Sequence, residues 1–183
     1  MGDERRLDEE ELGRTVQVLY DAFSLIEGVG GSLSPYVPTQ EYIVDAVLDI
    51  VEAVARRVSR GSRLPVYYEP GCGAGRVASR AAARGMYSIC LELDYYLARE
   101  AAEKAHGSPL LDVVVGDLAL FRPRVADAVY AYLLPRAVSR VLEALQGSGA
   151  GVVSLDYPAE GDRGVLSLAR LEVAGRGLYT YRA

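Results

Sequence analysis

Val66-Tyr-Tyr-Glu-Pro-Gly-Cys-Gly-Ala-Gly-Arg76 decides the fold: an apolar strand runs straight into a glycine loop, and the loop opens a helix. Gly71, Gly73 and Gly75 allow the backbone to turn sharply and to approach a ligand closely, with the amides of the next helix aimed at it. The pattern predicts a nucleotide-like cofactor at the carboxyl end of this strand.

Working outward, short apolar strands at 65–69, 87–92, 111–116, 127–132 and 150–155 alternate with helices at 74–84, 95–106 and 136–146. That alternation predicts an α/β fold, a Rossmann-like and mostly parallel sheet with helices on both faces. Only Leu118 to Ala126 separates the third strand from the fourth, so this crossover should lack a full helix. Gly164 to Val173 and Leu178 to Tyr181 flank Gly-Arg-Gly, which predicts an antiparallel hairpin at the C-terminal edge. Upstream, residues 8–27 carry apolar positions at helical spacing behind an acidic start. Two prolines then fix an extended loop over 32–39, and a helix capped by Thr39 should run to about Arg60, burying Ile43, Val47, Ile50, Val51 and Val54. The chain is thus divided into an acidic helical extension, 1–31, and one domain, 32–183.

Electrostatics narrows the cofactor. Dinucleotide loops place Gly or Ala at the sixth position of the fingerprint, and this chain has Arg76 there. The carboxylate of Glu69, two residues before the first glycine, would repel a pyrophosphate but suits the ammonium and sulfonium charges of S-adenosyl-L-methionine. Glu92 ends the run Tyr87-Ser-Ile-Cys-Leu91, where a ribose-binding carboxylate belongs, and Asp117 ends the run Leu111 to Gly116.

Composition excludes several classes. The net charge is −5, and the first twelve residues hold six acids against two arginines, leaving the body of the chain close to neutral. Such a balance does not make a broad nucleic-acid footprint. No apolar run has the roughly 18 residues of a membrane span, and the acidic start does not read as an export signal, which predicts a cytoplasmic protein. Cys72 and Cys90 read as two buried thiols, and His106, the only histidine, as a helix-end residue. No zinc set or charge-relay constellation results, and no metal is expected.

With these residues in view, the chain resembles the class I S-adenosylmethionine-dependent methyltransferases, and more narrowly the small archaeal protein-lysine methyltransferases that lack a SET domain. The resemblance covers roughly 34–183 and rests on Pro35-Tyr-Val-Pro-Thr39, Glu69 to Arg76, Leu91-Glu-Leu-Asp94 and Ala128-Val-Tyr-Ala-Tyr-Leu-Leu134. It departs from the family at Glu69-Pro70, where Asp-Leu is usual, and at Ala74, where an acid is usual. It implies that Gly71, Cys72, Gly73 and Gly75 form the cofactor loop, the first three lining the methionine part with Glu69 near its ammonium group. Glu92 would hold the ribose, Asp117 and Leu118 would flank the adenine, and Tyr36 and Thr39 would close over the methyl donor. Tyr36 as a core aromatic and Thr39 as a plain helix cap are the competing readings.

Methyl transfer to an amine requires positioning more than acid or base groups, so the missing triad is no objection. Tyr130 and Tyr132 share one face of the fourth strand by alternation, and Tyr132 is the preferred acceptor-site residue, with Tyr157 nearby after the fifth strand. Lysine-containing proteins are the favoured partners; methyl transfer to a small molecule or to RNA, and cofactor binding without turnover, stay open. The Asn/Asp-Pro-Pro-aromatic platform of nucleic-acid amino methyltransferases is replaced by Tyr132-Leu-Leu-Pro135.

Overall fold

The structure is a computed structural model and describes residues 34, 36–61, 63–161 and 166–183. The acidic helix predicted over 8–27 and the extension 1–31 lie outside the described residues. By backbone contacts the chain divides into two units, Met1–Pro35 and Tyr36–Ala183, and the second carries the sheet.

The element order is α1 (Glu41–Ser59), β1 (Val66–Pro70), α2 (Arg76–Ala83), β2 (Tyr87–Glu92), α3 (Tyr95–Ala105), β3 (Leu111–Val115), β4 (Ala128–Ala131), α4 (Pro135–Leu145), β5 (Gly151–Leu155), β6 (Leu166–Val173) and β7 (Arg176–Arg182). One seven-stranded sheet runs β3-β2-β1-β4-β5-β7-β6, parallel through β5, with β7 antiparallel to β5 and β6 antiparallel to β7. The order reverses between β1 and β4, and ligands of open α/β sheets bind outside the carboxyl ends of the strands at such a reversal. Residues 118–126 form a turn and no helix, as the short spacing predicts.

Both faces of the sheet are covered. Tyr67, Cys90, Ala128, Tyr130 and Val153 share one face by register and join a core with the apolar stripes of α1 and α2. Tyr68, Leu91, Val129 and Val152 point the other way and are just as buried; Phe121 covers Tyr68 with ring centroids 5.8 Å apart, and α4 buries Val138, Val141 and Leu142. Each such side chain contributes about 1.5–3 kcal/mol by leaving water.

Three details differ from the sequence reading. Helix α1 starts one residue later than a Thr39 cap requires: Gln40 is the cap residue and its side chain makes no hydrogen bond to the helix amides, while Thr39 is buried against the sheet. The hairpin turn is Ala174-Gly175, at φ of 50° and 76°, so Arg176 belongs to β7 and not to the turn. Cys72 and Cys90, read as two thiols, form a disulfide with Cα atoms 5.4 Å apart. The cause is the path of the loop: after β1 it folds back onto β2, and the Gly71 and Cys72 amides both donate to the Leu91 carbonyl at 2.8 and 3.1 Å.

Candidate active site

The cleft at the carboxyl ends of β1 and β4 is lined by Tyr36, Thr39, Glu69, Gly71, Cys72 and Tyr132, among others. Six of the positions singled out in the sequence therefore meet in one place. Tyr36 is half exposed and lays its ring on Gly73, where an added Cβ would stand 2.2 Å from a ring carbon. Gly73 also holds a φ of 56°, so both its conformation and its lack of a side chain are used. Thr39 pairs its hydroxyl with that of Tyr130 at 2.8 Å, which ties the segment before α1 to β4. Tyr130 is wholly buried; Tyr132, two residues on, reaches the cleft.

Four of the loop amides are already committed. Gly71 and Cys72 donate to Leu91, Gly75 donates to the Cys72 carbonyl, and Gly73 donates to Glu92 Oε2 at 2.7 Å. These four amides are therefore turned into the protein and away from a ligand. In the first turn of α2 the Ala78 amide is directed at the Glu69 carboxylate, so the positive end of that helix also faces a protein acid. Glu69 is buried and accepts from the Tyr67 hydroxyl at 2.8 Å. Burial pushes its carboxyl up to about 8, with the Tyr67 and Ala78 hydrogen bonds opposing and nearby Glu92 adding to the rise.

Glu92 accepts from three amides, Gly73 on Oε2 and Leu93 and Asp94 on Oε1, at 2.7–2.9 Å. A carboxylate has about four acceptor positions, so one lone pair of Oε2 is left for a hydroxyl. Asp117 and Leu118 are half-buried beyond the end of β3 and outside the described cleft lining; Asp117 caps its own turn through Ala119 at 2.8 Å, and the neighbouring Gly116 amide donates to the Glu92 carbonyl. Gly75, at a φ of 71°, packs against Ala101 of α3, where a Cβ would stand 2.7 Å away; its task is helix packing.

Two residues at the cleft or its wall escaped the sequence reading. Arg76 lines the cleft and donates to the Thr39 carbonyl at 3.3 Å; its place in the fingerprint pointed only to what the loop does not bind. Arg176 donates to the Tyr132 hydroxyl at 2.9 Å from 44 residues away, and no local pattern signals it. Tyr132 also stacks on Tyr157, ring centroids 6.3 Å apart and planes 18° from parallel. Among the described residues no group of three or more His, Cys, Asp or Glu could hold a metal ion, and no helix is long and apolar enough to cross a membrane.

The donor set fits a cationic nucleoside better than a phosphate. It offers a buried acid with no cationic side chain hydrogen-bonded to it among the described residues, one spare carboxylate lone pair for a hydroxyl, and a loop whose glycines admit close contact while their own amides are held within the protein. Residues 68–148 match the methyltransferase domain family. Among solved structures the chain is similar to an RNA methyltransferase from Salinibacter ruber solved with S-adenosyl-L-homocysteine, at 27% identity over 80% of this chain and 93% of that one, with a TM-score of 0.65. It shares its fold with MtNAS in complex with S-adenosylmethionine (14% identity, 77% of this chain, 63% of that one, TM-score 0.62). A putative RNA methyltransferase from Pyrococcus horikoshii has the same fold (17% identity, 76% and 82% coverage, TM-score 0.58). No curated protein sequence matches. Sheet order, loop and domain match together give this chain the class I methyltransferase fold, with a methyltransferase domain matched over residues 68–148.

Proposed function

We propose that the chain transfers a methyl group from S-adenosyl-L-methionine to the side-chain amine of lysine in proteins. The observation that carries this reading is the aromatic wall beside the buried acid: Tyr132, stacked on Tyr157, lines the same cleft as Glu69 and the glycine loop. When bound, the cofactor supplies a methyl group on a sulfonium centre, electrophilic enough that no acid or base has to activate it. Glu69 would hold its ammonium group and ionise on pairing with it. The spare lone pair of Glu92 would take a ribose hydroxyl, and Asp117 and Leu118 would flank the base. Tyr36 and Thr39 close the cleft from the segment before α1, Thr39 through its bond to Tyr130.

The obstacle for lysine is its proton. Holding an amine of pKa about 10.4 neutral at pH 7 costs about 4.6 kcal/mol. An aromatic wall lowers that cost by taking water away from the ammonium form, and ring faces still tolerate the cationic product. In this reading Tyr132 serves both tasks, and positioning of the amine supplies most of the remaining rate.

RNA is the second reading, favoured by the likeness to the Salinibacter protein. The Tyr132–Tyr157 pair would then stack on a base, although the Asn/Asp-Pro-Pro-aromatic platform is absent after β4. Purified protein, tritiated S-adenosylmethionine and a cell lysate separate the two. Label released by protease and recovered as methyl-lysine after hydrolysis supports the first reading; nuclease-sensitive label overturns it in favour of the second.

A further inference from the structure

A cluster of side chains that holds no part of the cofactor nevertheless ends on Tyr132. Arg176 opens β7, and its guanidinium reaches Asp156, Tyr132 and Gln40 from separate parts of the chain, with the Tyr42 hydroxyl also in hydrogen-bonding reach. Nε donates to both Asp156 oxygens at 2.9 and 3.0 Å, Nη2 donates to the Tyr132 hydroxyl at 2.9 Å and to Asp156, and Nη1 donates to Gln40 Oε1. The side chains of Arg176 and Asp156 are only 19% and 22% exposed, an unusual depth for an ion pair that begins on a hairpin. The guanidinium carbon also lies over the Tyr132 ring, 5.6 Å from its centroid, so the same cation that holds the hydroxyl touches the ring.

Asp156 adds a second observation. It holds a φ of 62°, a region that residues other than glycine seldom adopt, and its amide donates to the Gly177 carbonyl at 2.7 Å. Backbone strain of this kind persists where surrounding contacts enforce it, and here it aims the carboxylate at Arg176. The exits of β4 and β5, the start of β7 and the cap of α1 are therefore joined through one planar fork. Guanidinium geometry is required for that: a lysine ammonium has no planar fork of donors to spread over three partners at once.

We propose that Arg176 is the positioning residue of the acceptor site, fixing the Tyr132 ring through its hydroxyl while Asp156 cancels the charge that would otherwise face an incoming amine. The inference rests on Tyr132 being the acceptor wall and deepens that reading. It assigns no role to Arg176 in holding the cofactor.

The test compares wild type with Arg176→Lys, Arg176→Met and Tyr132→Phe in the full chain. Initial rates of methyl incorporation from tritiated S-adenosylmethionine into a heat-treated cell lysate report transfer, and calorimetric titration with S-adenosylhomocysteine reports cofactor affinity. Both Arg176 variants should lose at least 20-fold in rate at saturating cofactor, with the affinity for S-adenosylhomocysteine within twofold of wild type and no rescue by lysine. Tyr132→Phe, which removes only the hydroxyl that Arg176 holds, should lose at least fivefold and leave the ion pair in place. A parallel loss of rate and cofactor affinity would make Arg176 a structural prop and overturn the proposal, as would a wild-type rate in Arg176→Lys. A wild type that labels nothing in the lysate sinks the methyl-transfer reading itself, and the inference falls with it.

Discussion

At the end of β1 the contacts that shape the cleft are made by main-chain amides, four of them within the glycine loop and its neighbour Glu92. At the ends of β4 and β5 they are made by side chains: Thr39 to Tyr130, Arg176 to Tyr132 and Asp156, Tyr132 to Tyr157. The first region depends on backbone conformation and on the absence of side chains. The second depends on which side chains arrive from distant segments. The two sets of contacts meet at the cleft and at Thr39, which accepts from Arg76 and pairs with Tyr130, so substitution elsewhere on the β4–β7 side should leave the glycine loop unchanged.

The comparison predicts where single changes act. The largest effect should come from Gly73→Val, which combines a side chain at a φ of 56° with a clash against Tyr36; affinity for S-adenosylhomocysteine should fall by more than about 100-fold. Gly85→Ala is the control, with a φ of 82° and nothing within 4 Å of the added carbon. It should cost about 1 kcal/mol of stability and leave affinity unchanged. Tyr132→Ala should do the reverse of Gly73→Val, with methyl transfer down about 100-fold and cofactor affinity within about threefold. If both fall together, the two regions are not separate.

Glu69 gives a smaller effect with a definite sign. Its carboxyl is pushed up to about 8 in the folded chain against an ordinary 4.5, so between these values the folded state holds a proton that the unfolded state has released. Stability should therefore fall as pH rises through that window, by at most about 1.4 kcal/mol per pH unit, while affinity for the cationic cofactor rises. Glu69→Gln should flatten both profiles and weaken cofactor binding about tenfold. Urea unfolding and calorimetry at pH 5, 6.5 and 8 measure them. The smallest effect on the site should follow reduction of Cys72–Cys90. The bond closes a separation of 18 residues, so its loss should cost about 3 kcal/mol of stability. Cofactor affinity should change less than about threefold, because the Leu91 carbonyl still holds the loop; a larger change would show that the disulfide, and not the amides, sets the loop.

The same division explains what the sequence could reveal. Strand periodicity and the glycine spacing are local, so Tyr87–Glu92 has the predicted bounds and Glu69, Gly71 and Cys72 meet as expected. The β4–β7 side rests on pairs separated by 20, 44 and 136 residues around Arg176, and no periodicity connects them. Gly-Arg-Gly reads as a turn until Ala174 is seen to adopt the left-handed conformation that frees Arg176 for the strand. The disulfide was hidden for a related reason. Its closeness comes from a loop folding back on β2, and residue spacing alone says nothing about where a loop returns. Thr39 looked like a cap because its type suits one, yet the hydroxyl of buried Tyr130 needs a partner in the core, and Thr39 supplies it.

The internal hydrogen bonds of the glycine loop have a thermodynamic consequence. Four of its amides and its fold-back onto β2 are held without a ligand, so binding the cofactor should freeze few main-chain torsions and carry little of the ordering entropy that flexible loops give up on association. Entry is then governed by the Tyr36 ring lying on Gly73. The association rate should track the bulk of residue 36, rising in Tyr36→Ala, while the loop itself behaves as a rigid die against which each successive cofactor molecule is seated.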